Sequence, residues 1–182
     1  MYELIILSLL MRAPTHGYLI AQVINDVIGP FARASNGRLY PLLTKLVASG
    51  VISVQEEAAS DGGRISRSFA ITSPGRARFL ELMRDTSSSP REYRELFAFK
   101  VTAFDQIEAS DRLALIRHYA GFCRAHAEHL MTQARDLSEH GSSYGHSLAH
   151  GQRFASLFGH LVEVWQGELR WAEQLLRDET QD

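Results

Sequence analysis

The chain holds a single cysteine, Cys123, in 182 residues. One thiol builds no intramolecular disulfide framework, and it suits a reducing compartment. No apolar run approaches the ~20 residues that a membrane-spanning helix needs. Met1-Tyr2-Glu3-Leu4 opens straight into an apolar periodic segment, without the basic leader of a secretory signal. These shortages point to the cytoplasm. Net charge is only −2, so the total does not advertise a nucleic-acid partner. Catalytic signatures are also missing. There is no Gly-rich phosphate loop, no nucleophile motif and no evident pair of carboxylates, and the lone thiol lacks a flanking basic cluster. No enzyme is expected, and no cofactor.

Histidine is the exception to this scarcity, with eight residues, seven of them beyond residue 110. His126 and His129 stand i, i+3 on a predicted helix, and His146 and His150 would stand i, i+4 if their segment were helical. Either pair would supply two ligands, but no cysteine cluster or carboxylate is spaced to finish a tetrahedral site. Surface or packing roles are expected, and no metal.

The chain is 45% hydrophobic and 22% charged, enough to bury a core in one large domain or two small ones. Charge is unevenly spread. Residues 1–86 hold nine Lys/Arg and seven Asp/Glu; residues 87–182 hold ten and fourteen. The sign of that difference is the one expected if the first half meets phosphate.

Residues 3–12 are apolar on most sides and predict a short buried helix. Arg12-Ala13-Pro14-Thr15 stops it. Thr15 is then placed to cap a second helix through Val27, with Leu19, Ile20, Val23 and Val27 inward. After Gly29-Pro30, residues 35–50 predict a third. Leu39, Leu42, Leu43 and Leu46 form its inner stripe, while Asn36, Tyr40, Thr44 and Lys45 lie off it. Ser35 or Asn36 is placed to cap this helix and Gly50 to end it. Pro41 removes the bond to the Gly37 carbonyl and is expected to loosen the first turn.

The period then changes. Residues 51–56 read as a strand, as do residues 65–72, with Ile65, Phe69 and Ile71 on one face and Ser66, Ser68 and Thr72 on the other. The reversal at 58–64 is glycine-rich and ends on Arg64, with Arg67 nearby. Ser73-Pro74 opens another helix, with proline at its first position. Three helices followed by a basic-tipped hairpin describe a winged helix-turn-helix. The expected fold class is therefore mainly α with a small β-hairpin, a winged unit over 1–86 and a helical dimerisation domain over 87–182.

Four segments carry a family resemblance: His16-Gly17-Tyr18; Gly37 through Lys45-Leu46, with Leu39-Tyr40-Pro41 at its centre; Gly50-Val51-Ile52; and Gly63-Arg64 through Phe69-Ala70-Ile71-Thr72-Ser73-Pro74-Gly75. Together they resemble the PadR family of bacterial transcriptional regulators. The wing departs from the family pattern at Phe69, where tyrosine is usual, and at Ile71, where leucine is. The resemblance implies binding to double-stranded DNA through Ser35, Asn36, Arg38, Tyr40, Thr44 and Lys45 on the helix and Arg64 and Arg67 on the wing. It implies that His16 meets the helical domain. Asparagine suits adenine edges, arginine suits guanine or phosphate, and Tyr, Thr and Lys suit phosphate oxygens. The competing reading of each is an ordinary solvated face. Arg76 and Arg78 read as plain surface charge.

In the second half, residues 91–108 are apolar enough for a helix. A longer one starts at Ser110. Leu113, Ile116, Ala120, Cys123, Ala127, Leu130, Ala134 and Leu137 step alternately by three and four, a heptad seam. The last helix, 152–177, carries Phe154, Leu157, Phe158, Leu161, Trp165, Leu169, Ala172, Leu175 and Leu176 on one side, widened by Val162 and Trp171. This half resembles the helical region of virulence-activator-like PadR proteins, and a homodimer is expected through Leu113, Ile116, Ala120, Cys123, Ala127, Leu130, Leu161, Trp165 and Leu169. Some family members respond to phenolic acids or hydrophobic drugs. By that resemblance His16, Tyr18, Phe154, Phe158 and Trp165 are candidates for a small aromatic effector, against a competing role in core or dimer packing. A repressor on an inverted repeat is the expected function; the alternative is an interaction adaptor that kept the fold and lost operator binding.

Overall fold

The computed structural model describes residues 1–28, 36–57, 66–87, 89–140 and 148–181. Ser35, Arg64 and the hairpin tip at 58–64 lie outside them. The chain forms two compact units, Met1–Ile107 and Glu108–Asp182.

In the first unit, α1 (Tyr2–Arg12) is the central post. Leu4, Ile5, Ile6, Leu7 and Leu10 are all buried, as apolarity on most sides requires. A short strand, β1 (Thr15–His16), follows, and then α2 (Gly17–Ile28). Thr15 was expected to cap α2. It lies instead opposite Phe69 in the sheet, and its hydroxyl donates to the carbonyl of Ala13 at 2.9 Å. The inner face of α2 is also rotated from expectation. Ile20 and Ile24 are fully buried, whereas Leu19 and Val27 are exposed.

α3 (Asn36–Ala48) runs through Pro41 and buries Leu39, Leu43 and Leu46, leaving Leu42 half-buried. Gly50 ends the segment with φ of 71°, where the missing Cβ removes the usual penalty. β2 (Ile52–Glu57) and β3 (Ser66–Ile71) pair antiparallel with Val54 opposite Phe69, and β1 adds on the other side of β3. Because β3 is central, Ser68 is buried, contrary to the polar face expected of it; its hydroxyl lies 3.4 Å from the carbonyl of Gln55.

α4 (Ser73–Arg84) is capped one residue earlier than expected. Thr72 is the N-cap, accepting from the Gly75 N–H at 3.1 Å, which puts Pro74 one position further in. α5 (Pro90–Val101) and a 3₁₀ turn (Phe104–Gln106) complete this unit. The sequence put the boundary at 86/87. The first unit instead extends to Ile107, because α5 supplies buried Tyr93, Phe97 and Lys100 and because Arg12 on α1 pairs with Asp105.

The second unit is an antiparallel pair, α6 (Ala109–His140) and α7 (Leu148–Gln181). Its cross-links run in opposite senses along the two helices: Arg112 to Glu179 at 2.6 Å and the Tyr119 hydroxyl to Glu168 at 2.8 Å. Phe122 meets Trp165 edge to face at 5.5 Å. Among the described residues no helix is long and apolar enough to cross a membrane.

Candidate nucleic-acid interface

The stripe that buries Leu39, Leu43 and Leu46 turns the opposite side of α3 outward. Tyr40 is 48% exposed, and Thr44 and Lys45 are exposed beside it. The Thr44 hydroxyl donates to the Tyr40 carbonyl at 2.9 Å, the i−4 back-bond of a helical threonine. Asn36 and Arg38 lie on α3, and their side chains are not described. Arg67 projects from β3 into solvent on the same sheet that buries Phe69.

These elements enclose a groove of about 630 Å³. Tyr40, Leu43, Thr44 and Val47 form one wall, Val54, Arg67 and Phe69 another, and His16, Gly17 and Tyr18 the end. His16 and Tyr18 stack almost parallel, with ring centroids 5.8 Å apart and 13° between planes. Tyr18 is 64% exposed. The short strand β1 explains the placement. Pairing of His16 with Ser68 fixes the backbone just before α2, so the first turn of α2 stands beside α3 and the wing. Sequence spacing did not reveal this, because a two-residue strand carries no periodicity.

The groove is therefore aromatic and hydroxyl-rich, with a guanidinium on its wing side. It is suited to phosphate oxygens and sugar edges along a polyanion, contacts that tyrosine, threonine and arginine make. Of the basic residues read as plain surface, Arg78 proves structural. It bridges Glu3 on α1 at 2.9 Å and Glu81 on α4 at 3.2 Å, and hydrogen bonds to these carboxylates hold it firmly protonated.

The remaining aromatic candidates lie in the second unit. Trp165 packs against Phe122 and against the His126 ring at 4.4 Å, and Phe154 pairs with Phe158 at 6.1 Å. His16 and Tyr18 line the first-unit groove. His126 is held between Phe122 and Trp165, with its Nδ1 3.0 Å from the carbonyl of Phe122. Among the described residues no three His, Cys, Asp or Glu side chains gather as metal ligands.

Residues 6–81 match the family model described as the transcriptional regulator PadR-like family. This segment, from α1 to α4, is similar to the PadR-like regulators. The match ends before α5 and does not reach the second unit. No curated protein matches the chain. Similar solved structures include Bacillus subtilis PadR in complex with operator DNA, at 18% identity and TM-score 0.44, covering 97% of this chain and 96% of that one. The Vibrio cholerae virulence activator AphA is similar at 19% identity and TM-score 0.38, covering 98% and 97%. The PadR-like regulator BC1756 from Bacillus cereus stands at 20% and 0.36, covering 96% and 99%.

Proposed function

We propose that the protein is a homodimeric transcriptional repressor that binds an inverted-repeat operator through the α3 groove. The observation that carries the reading is the convergence of Tyr18, Tyr40, Thr44 and Arg67 around one concave surface beside an exposed helix face. α3 enters the major groove, with Asn36, Arg38, Tyr40, Thr44 and Lys45 facing the DNA and Ser35 at the helix start. Arg64 and Arg67 follow the neighbouring backbone or a narrow minor groove, where negative potential favours arginine. Tyr18, at the N-terminal end of α2, hydrogen-bonds a backbone phosphate, and His16 stacks behind it. Two protomers joined through their α6–α7 pairs hold the α3 helices ~34 Å apart, one turn of B-DNA. The exposed apolar residues Met131, Phe154 and Leu157 support that assembly. Release is by a small aromatic effector, with Phe154, Phe158 and Trp165 or the His16–Tyr18 stack as its contacts.

Titration of selected genomic duplexes at two salt concentrations tests the reading. Affinity falls steeply with salt, and Arg67→Ala lowers the slope by about one while weakening all sequences alike. Absent or salt-insensitive binding would instead favour a protein-interaction adaptor.

A further inference from the structure

Near its end, the first unit makes a polar clasp. The guanidinium of Arg12, at the last turn of α1, meets the Asp105 carboxylate through two hydrogen bonds of 2.8 Å each. The same guanidinium lies 3.3 Å from the carbonyl of Thr102. With its amide oriented to suit its neighbours, Gln106 donates to the Ser8 carbonyl at 3.3 Å and accepts from Arg12 Nε at 3.2 Å. Apolar anchors flank the clasp: Ala103, Phe104 and Ile107 are buried, and Phe104 meets Phe97 edge to face.

We propose that Arg12 and Asp105 are positioning residues for operator recognition, fixing the point at which the chain leaves the DNA-binding unit. The inference rests on the homodimeric operator-binding reading above. The covalent path from α3 to the dimerising helices runs through residues 102–108. Two-point Arg–carboxylate pairing restricts rotation of that segment in a way one flexible contact does not. Arg12 and Asp105 are absent from the groove lining, so they act on DNA only through where the helices are held. A half-exposed pair contributes little to folding, so its loss leaves the unit folded on its buried Ala103, Phe104 and Ile107 anchors and removes only the two-point restraint on the direction of the segment between them.

The test uses the full chain carrying Ala48→Cys, an exposed position on α3, labelled with a nitroxide. Native Cys123 is buried and is left unlabelled. Pulsed electron-paramagnetic resonance then reads the distance between the two α3 helices of a dimer. The parent gives one narrow distribution. Asp105→Asn broadens it about twofold, and the swapped pair Arg12→Asp with Asp105→Arg narrows it again, while circular dichroism and sedimentation stay unchanged. Equal widths in the parent and Asp105→Asn, or broadening that the swap leaves in place, overturn the proposal. A parent that sediments as a monomer defeats the homodimer reading itself, and the inference falls with it.

Discussion

Gly75 and Val51 approach so closely that a Cβ on Gly75 would sit inside the Val51 carbonyl oxygen, with the Ile71 side chain also crowding it. Thr72 completes the joint. Its hydroxyl lies 2.6 Å from the Gly50 carbonyl and 2.9 Å from that of Val51, and donates its one proton to either. The end of α3, the base of the wing and the start of α4 are thereby bound together. Gly75→Ala forces backbone atoms apart and is expected to cost about 3 kcal/mol of stability in urea unfolding. Gly121→Ala, with open space around its Cβ on α6, is expected to stabilise by ~0.5–1 kcal/mol through helix propensity. Equal effects at the two sites would remove the steric argument.

Lys100 is a buried cation that the sequence did not single out. Its Nζ donates to the Asp85 carbonyl at 2.5 Å, and burial lowers its pKa to about 8, partly opposed by the Asp85 charge. The unfolded chain holds that proton up to about 10.5, so between these values the unfolded state binds more protons. Stability contributed at this site therefore rises with pH from about 8 to 10.5, by up to about 3 kcal/mol. Urea unfolding of wild type and Lys100→Met across that range measures it. The wild-type stability should gain on the variant as pH rises; a constant difference would refute the account.

Much of the first unit was legible because its elements are long enough to show a period. The α3 stripe appeared as Leu39, Leu43 and Leu46, and Gly50 took the positive φ expected of a helix end. What escaped was set by tertiary pairing. β1 is two residues long and exists because β3 offers it an open edge. That pairing moved His16 and Tyr18 into the groove beside α3 and buried Ser68. In the second unit the heptad spacing was real, but periodicity does not say which helix fills it. Ile116, Ala120, Cys123 and Ala127 are buried within the single chain. Sequence had offered those residues to a second copy.

Tyr119 and Cys123 form the polar floor of the α6–α7 pair. The Tyr119 hydroxyl donates to Glu168, and burial together with that bond raises its pKa. Burial pushes the Cys123 thiol up to about 11. At pH 8 the thiol is protonated as well as covered, so a disulfide reagent is expected to leave it unmodified in the native protein and to label it after denaturation. Tyr119→Phe should destabilise the chain by about 1–2 kcal/mol, toward the low end for a charged acceptor because half-buried Glu168 regains water. Fast native labelling, or a neutral Tyr119→Phe, would contradict this packing.

Any surface for self-association has to come from the apolar residues that remain outside the core. Ala127 is buried between turns of its own chain, and Ala127→Glu is expected to disrupt the α6–α7 pair itself, with loss of helicity. Leu157, 47% exposed on α7, and Phe154, 37% exposed, stand clear of that core. Leu157→Glu should keep the helical spectrum of the wild type and weaken self-association by about 100-fold, a loss near 3 kcal/mol if the residue is covered in a dimer. Sedimentation at several micromolar concentrations separates the cases. Under the proposed operator-binding function, DNA affinity should fall with the dimer, because a monomer would engage one half-site and lose the gain of the second. Were Leu157→Glu to remain dimeric, the covered surface would lie elsewhere on the pair. Were the wild type monomeric at all concentrations, the ~34 Å spacing of two α3 helices would lose its basis.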